Sequence, residues 1–163
     1  MMWETATFIL IAGMVDDFRS RKVHNILVLS LLAMAVGASL YLRGGEGTLG
    51  GLTSLAIALA LTFPLYAFGI LGGGDVKLFS VFAFAVEPAG MFYTLIYSFV
   101  WGSLFGLTRS ALQGHLPVLV RNTYRTATRQ QKLQAIEINK IPYTFALVLG
   151  WFTYLTLLRS GLL

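Results

Sequence analysis

Four long stretches of the chain carry no charge, and they limit what it can fold into. Residues 25–42, 47–74, 88–108 and 141–158 contain no Asp, Glu, Lys or Arg. Each reaches or approaches the roughly 20 apolar residues that cross a hydrocarbon core about 30 Å thick. Two shorter apolar stretches join them: residues 3–15, broken only by Glu4, and residues 78–86. Only 12% of the chain is charged and 56% is hydrophobic, against about 25% charged in an average soluble domain. The pattern predicts an all-α, polytopic membrane helix bundle with about six transmembrane helices, the first and fourth short. It excludes a disordered chain, and a soluble globule fits it poorly. No internal repeat or low-complexity tract divides it, so residues 1–163 read as a single integral membrane domain. The N-terminus has no basic n-region and no small-residue cleavage site before Asp16, and is expected to remain as a helix.

The basic residues orient the bundle. With the N-terminus outside, the inner segments hold Arg19, Arg21, Lys22, Lys77, Arg109, Arg121, Arg125, Arg129, Lys132 and Lys140, and the outer ones only Arg43 and Arg159. Ten against two places the inner segments in the cytoplasm. The outer turns are expected at residues 43–51 and 87–90. Residues 109–140 form one long basic cytoplasmic loop, partly amphipathic and suited to lie on the inner leaflet. Net charge +5 therefore records topology and implies no nucleic-acid partner. The lipid bilayer is the partner it does imply.

Ionisable groups at membrane depth are costly and mark function. Two clusters qualify: residues 15–25, with Asp16, Asp17 and His24, and residues 72–77, with Gly72, Gly73, Gly74, Asp75 and Lys77. Span counting puts both on the same face. Two facing carboxylates can share one proton, polarise a water with the charged member and hydrogen-bond a carbonyl with the other. With no cysteine in the chain and no Ser/His pair in a suitable setting, hydrolysis here should be of the aspartic type. No cofactor is implied, and no metal, since His24 and His115 lack a third ligand. The alternative for Asp75 is a helix cap in a glycine-rich turn, and for Asp17 a surface charge. The residues alone do not choose between Asp16 and Asp17. Asn25 is expected to cap the second span. Lys77 is expected at the interface, or beside Asp75. Pro64 is expected to break the helix ladder ahead of the glycines.

Asp17 through Asn25, read Asp-Phe-Arg-Ser-Arg-Lys-Val-His-Asn, resembles the first signature of the prepilin and preflagellin (type IV leader) peptidases: an Asp, basic residues, then Ile-Pro-Asn. Gly72-Gly-Gly-Asp75-Val-Lys77 resembles their second, G-x-G-D-x-K, and Lys140-Ile-Pro-Tyr143 opens the last span as is common in them. The resemblance implies a GxGD aspartic membrane endopeptidase with Asp17 and Asp75 catalytic and Gly72, Gly74, Lys77 and Asn25 supporting. It implies cleavage, at the cytoplasmic membrane face, of the leader of a pilin-like or archaellin-like precursor with a basic leader and an apolar helix. His24 stands where proline is usual, which predicts a looser turn, and Asp16 is an added carboxylate. Absence of the paired cysteines of long members resembles the short, single-function type, without N-methylation. Two other readings compete. A small non-enzymatic carrier or pilus-assembly subunit should show repeat symmetry. A presenilin-type protease shares the GxGD aspartate but not the Arg-rich context of the first one.

Overall fold

The computed structural model describes residues 2–112 and 143–162, and the described part is all α-helix joined by short turns. The greater part of the expected basic loop, and Lys140, Ile141 and Pro142, lie outside the described residues.

Helix α1 (Met2–Ser20) buries Ala6, Ile9, Leu10 and Gly13, one face at helical spacing. Glu4 in its first turn and Arg19 in its last complement the helix dipole. It continues past both aspartates, so the charged segment expected to follow the first span is its last turn.

Helix α2 (Asn25–Ala67) spans 43 residues. A straight helix of that length would measure about 65 Å, twice the hydrocarbon core. It is instead two arms, 25–43 and 45–67, meeting at Gly44, whose φ of 70° and ψ of −166° are non-helical. That region is open essentially to glycine alone. The arms fold back on one another. The Thr48 hydroxyl donates to Ser39 Oγ at 3.3 Å, although nine residues along a straight helix rise about 13.5 Å. The glycine-rich loop expected at 43–51 is thus a single-residue reversal, with residues 45–51 helical.

Pro64 does not break the second arm. Its ring faces outward and its carbonyl still accepts from the Phe68 N–H at 2.9 Å. The helix closes after Ala67, where the Gly69 N–H reaches the Tyr66 carbonyl and the Ile70 N–H the Leu65 carbonyl. This is the Schellman pattern, completed by Gly69 at φ 72°. The unwound stretch is therefore 68–72.

Helix α3 (Gly73–Ala85) is the centre of the molecule. Every residue from Leu78 to Val86 is buried, as expected of a helix apolar all round. Pro88 opens helix α4 (Pro88–Leu112), where its missing N–H costs nothing. Helix α5 (Tyr143–Arg159) packs along α4, with the Tyr93 and Tyr154 rings stacked 5.8 Å apart. It reaches α3 through an edge-to-face pairing of Trp151 and Phe82, with ring centroids 5.1 Å apart.

The exterior is apolar as well as the core. Leu29, Leu52, Phe63, Ile96, Val100 and Leu107 are all exposed, more apolar surface than a soluble monomer tolerates. Two helices, Asn25–Ala67 and Pro88–Arg109, are long and apolar enough to cross a membrane. The fold is a helical bundle of membrane type.

Candidate active site

The joint between α1 and α2 is tightly organised. Arg21 takes a left-handed φ of 53° and its N–H returns to the Asp17 carbonyl at 2.7 Å, ending α1. The Ser20 hydroxyl donates to the Asp16 carbonyl at 2.8 Å. The Asp16 carboxylate then reaches across the turn. Its Oδ2 accepts the His24 backbone N–H at 2.8 Å, and His24 Nδ1 lies 3.0 Å from both its oxygens. The backbone N–H of His24 holds the Asp16 carboxyl below its ordinary value.

This overturns the looser turn expected from a histidine in proline's place. His24 has φ −72° and ψ 138°, the backbone that a proline ring would impose. A proline could not donate the N–H that Asp16 accepts. The two departures from the family pattern, Asp16 and His24, are bonded to each other, and together they hold the turn that proline would hold covalently. His24, not Asn25, is the N-cap of α2, and it makes no side-chain cap bond.

Asn25 has another partner. Its Oδ1 accepts from Lys77 Nζ at 2.8 Å, across 52 residues. The two supporting residues expected from opposite ends of the sequence pattern thus meet, and Lys77 serves this joint. Directly beside it, Gly74 packs against Val23 so closely that a Cβ would lie 3.2 Å from Val23 Cβ. The first and second clusters are therefore in contact at one end of the bundle. This also fixes the sense of α2: Asn25, at the start of its first arm, lies next to the turn that follows its second.

Asp75 is the third residue of α3. Its Oδ2 accepts the Gly72 N–H at 3.2 Å, half of a capping box. The capping role weighed as an alternative for Asp75 is thus present in the structure, with the carboxylate at a helix N-terminus. A Cβ on Gly72 would sit 2.8 Å from Asp75 Oδ2, so glycine there is what admits the carboxylate. Asp16 is turned to His24, whereas Asp17 is turned to the last helix.

Asp17 Oδ2 accepts from the Thr144 hydroxyl of α5 at 2.8 Å. Tyr143, its neighbour, shares a 2.6 Å hydrogen bond with Ser98 of α4. Neither Thr144 nor Ser98 is singled out by the sequence. A threonine in the first turn of a helix reads as local capping, and only its place directly after the Lys140-Ile-Pro-Tyr143 segment offers a signal. Among the described residues, no three His, Asp or Glu side chains are grouped to hold a metal ion.

An all-helical protein of membrane type, with two aspartate-bearing segments meeting at one end of the bundle, defines the class. The model of the type IV leader peptidase family matches residues 5–107, more than half of the chain, and the chain belongs to that family. It is accordingly a protease. The matched region runs from within α1 into α4, takes in Asp17 and Asp75, and ends before α5. No curated protein and no solved structure matches the chain significantly.

Proposed function

We propose that the protein is a membrane aspartic endopeptidase that removes the leader from pilin-like or archaellin-like precursors, with Asp17 and Asp75 as its catalytic pair. The observation that carries this reading is the junction of the two clusters. Lys77 bonds Asn25 at 2.8 Å and Gly74 abuts Val23, which brings the segments that carry Asp17 and Asp75 to one end of the bundle.

Six spans follow when the two arms of α2 are counted separately, with the aspartates at the cytoplasmic end, where ten of the 12 basic residues fall. Helix α3, with 13 residues, is only about 20 Å long, short of the roughly 30 Å core. Asp75 is thereby recessed below the inner surface. A precursor's apolar helix packs beside the bundle while its basic leader stays at the surface, which puts the scissile bond at the depth of the pair.

The pair shares one proton. The ionised carboxylate takes a proton from water as the oxygen attacks the scissile carbonyl, and the protonated one donates to the carbonyl oxygen, giving a gem-diol. Collapse returns the proton to the leaving amine and restores the shared state.

Co-expression with a precursor carrying a basic leader and apolar helix tests this. Wild type should give a leader-sized mobility shift, with a new N-terminus at the leader junction. No shift with pilin-like and archaellin-like precursors alike would contradict the reading.

A further inference from the structure

Thr144 is fully buried, 0% exposed, and donates its hydroxyl to Asp17 Oδ2 at 2.8 Å across 127 residues of sequence. Other helical threonines here behave differently. Thr7, Thr62, Thr94, Thr108 and Thr153 each donate to the carbonyl four residues earlier. That is the ordinary outlet for a hydroxyl in a helix. Thr144 directs its single donor to a carboxylate on another helix.

The register that brings it there has a second, separate anchor. The Trp151 indole N–H donates to the Thr7 hydroxyl at 2.8 Å. Residues 144, 148 and 151 share one face of α5, about two turns long, and Thr144, Val148 and Trp151 are all buried. Helix α5 is thus pinned to α1 near both ends of this face, antiparallel, with the fully buried Trp151 at one end. Loss of the Thr144 hydroxyl leaves that docking in place and removes only the bond to the carboxylate. The bond thus holds one of the two carboxylate oxygens, Oδ2.

We infer that Thr144 is a positioning residue for the peptidase reaction: its hydroxyl holds Asp17 Oδ2 and so aims Oδ1 at the water shared with Asp75. The inference rests on the reading of Asp17 as catalytic. It assigns a role to α5, which lies beyond the region matched by the family model.

The test is steady-state cleavage of a leader-bearing precursor by the purified full chain, with Thr144→Val, Thr144→Ser and Asp17→Asn measured side by side. A misdirected catalytic group costs up to about 10²-fold in rate. Thr144→Val should lower kcat by about 10- to 100-fold, with KM and thermal midpoint close to wild type. Thr144→Ser, which keeps the donor, should restore kcat to within a few fold. If Thr144→Val does not fold, Thr144→Ala carries the same comparison. Wild-type kcat without the hydroxyl, or a serine variant as slow as the valine one, overturns the inference. With Asp17→Asn inactive, that failure belongs to Thr144 alone; with Asp17→Asn active, the catalytic reading fails and this inference with it.

Discussion

At the scale of single residues, the glycines of the Gly72–Gly74 run have separable duties. Gly74 allows α3 to meet Val23. Gly72 has φ −77° and ψ 148°, a backbone that any residue adopts, so glycine is not needed there for conformation. It is needed because a methyl group would crowd Asp75 Oδ2 at 2.8 Å. Gly72→Ala should therefore displace the carboxylate while the helix still forms. The expected result is a fall in kcat of up to about 10²-fold with an unchanged helical circular dichroism spectrum. A spectrum that collapses would instead show that Gly72 is required for folding. Asp75 and Gly72 were legible in the sequence as a motif. The identity of the atom that a side chain at 72 would strike was not, because it depends on the rotamer of Asp75.

At the scale of elements, the α1–α2 joint shows how a local departure is made good. Asp16 and His24 reproduce through three contacts what a proline would fix in its ring. Asp16→Ala alone should loosen the turn and lower both thermal midpoint and activity. His24→Pro on top of Asp16→Ala should recover most of the loss, since the histidine φ of −72° already suits proline. The double variant being worse than Asp16→Ala would contradict this account of the turn. The sign of the pH effect follows from the lowered carboxyl of Asp16. The clasp is intact above the ordinary value of 3.8, and opens only as pH falls through the lower value held in the fold. Neither residue's partner is legible in the sequence: an Asp next to a second Asp, and a His eight residues on, read as unrelated groups. Helix α2 teaches a similar lesson. Charge placement locates both arms, but the glycine-rich segment between them reads as a loop in the sequence. Packing of the two arms keeps residues 45–51 helical against their weak propensity, and only Gly44 is left to turn the chain.

At the scale of the whole molecule, the charge-free stretches were the most legible feature, because the cost of burying charge acts on every helix alike. The short central helix was visible only as a weak apolar run. Its full burial came from the fold, since being surrounded by four neighbours leaves no periodic pattern to read. The orientation can be tested directly because the chain has no cysteine. Single cysteines replacing Gly45, whose added side chain would meet nothing within 4 Å, and exposed Lys22 should label from opposite faces with a membrane-impermeant maleimide. Position 45 should label from outside and position 22 only after the inner face is opened. Labelling of both from one side would overturn the six-span arrangement.

The central claim is that Asp17 and Asp75 act as one acid–base unit. Residues acting as a unit are non-additive, so removing either costs nearly as much as removing both. Single-turnover cleavage of a purified precursor by Asp17→Asn, Asp75→Asn and the double variant measures this directly. The account predicts that each single change lowers the rate by at least about 10²- to 10⁴-fold and that the double change lowers it little further. Substantial cleavage by either single variant, or losses that multiply in the double, would contradict it.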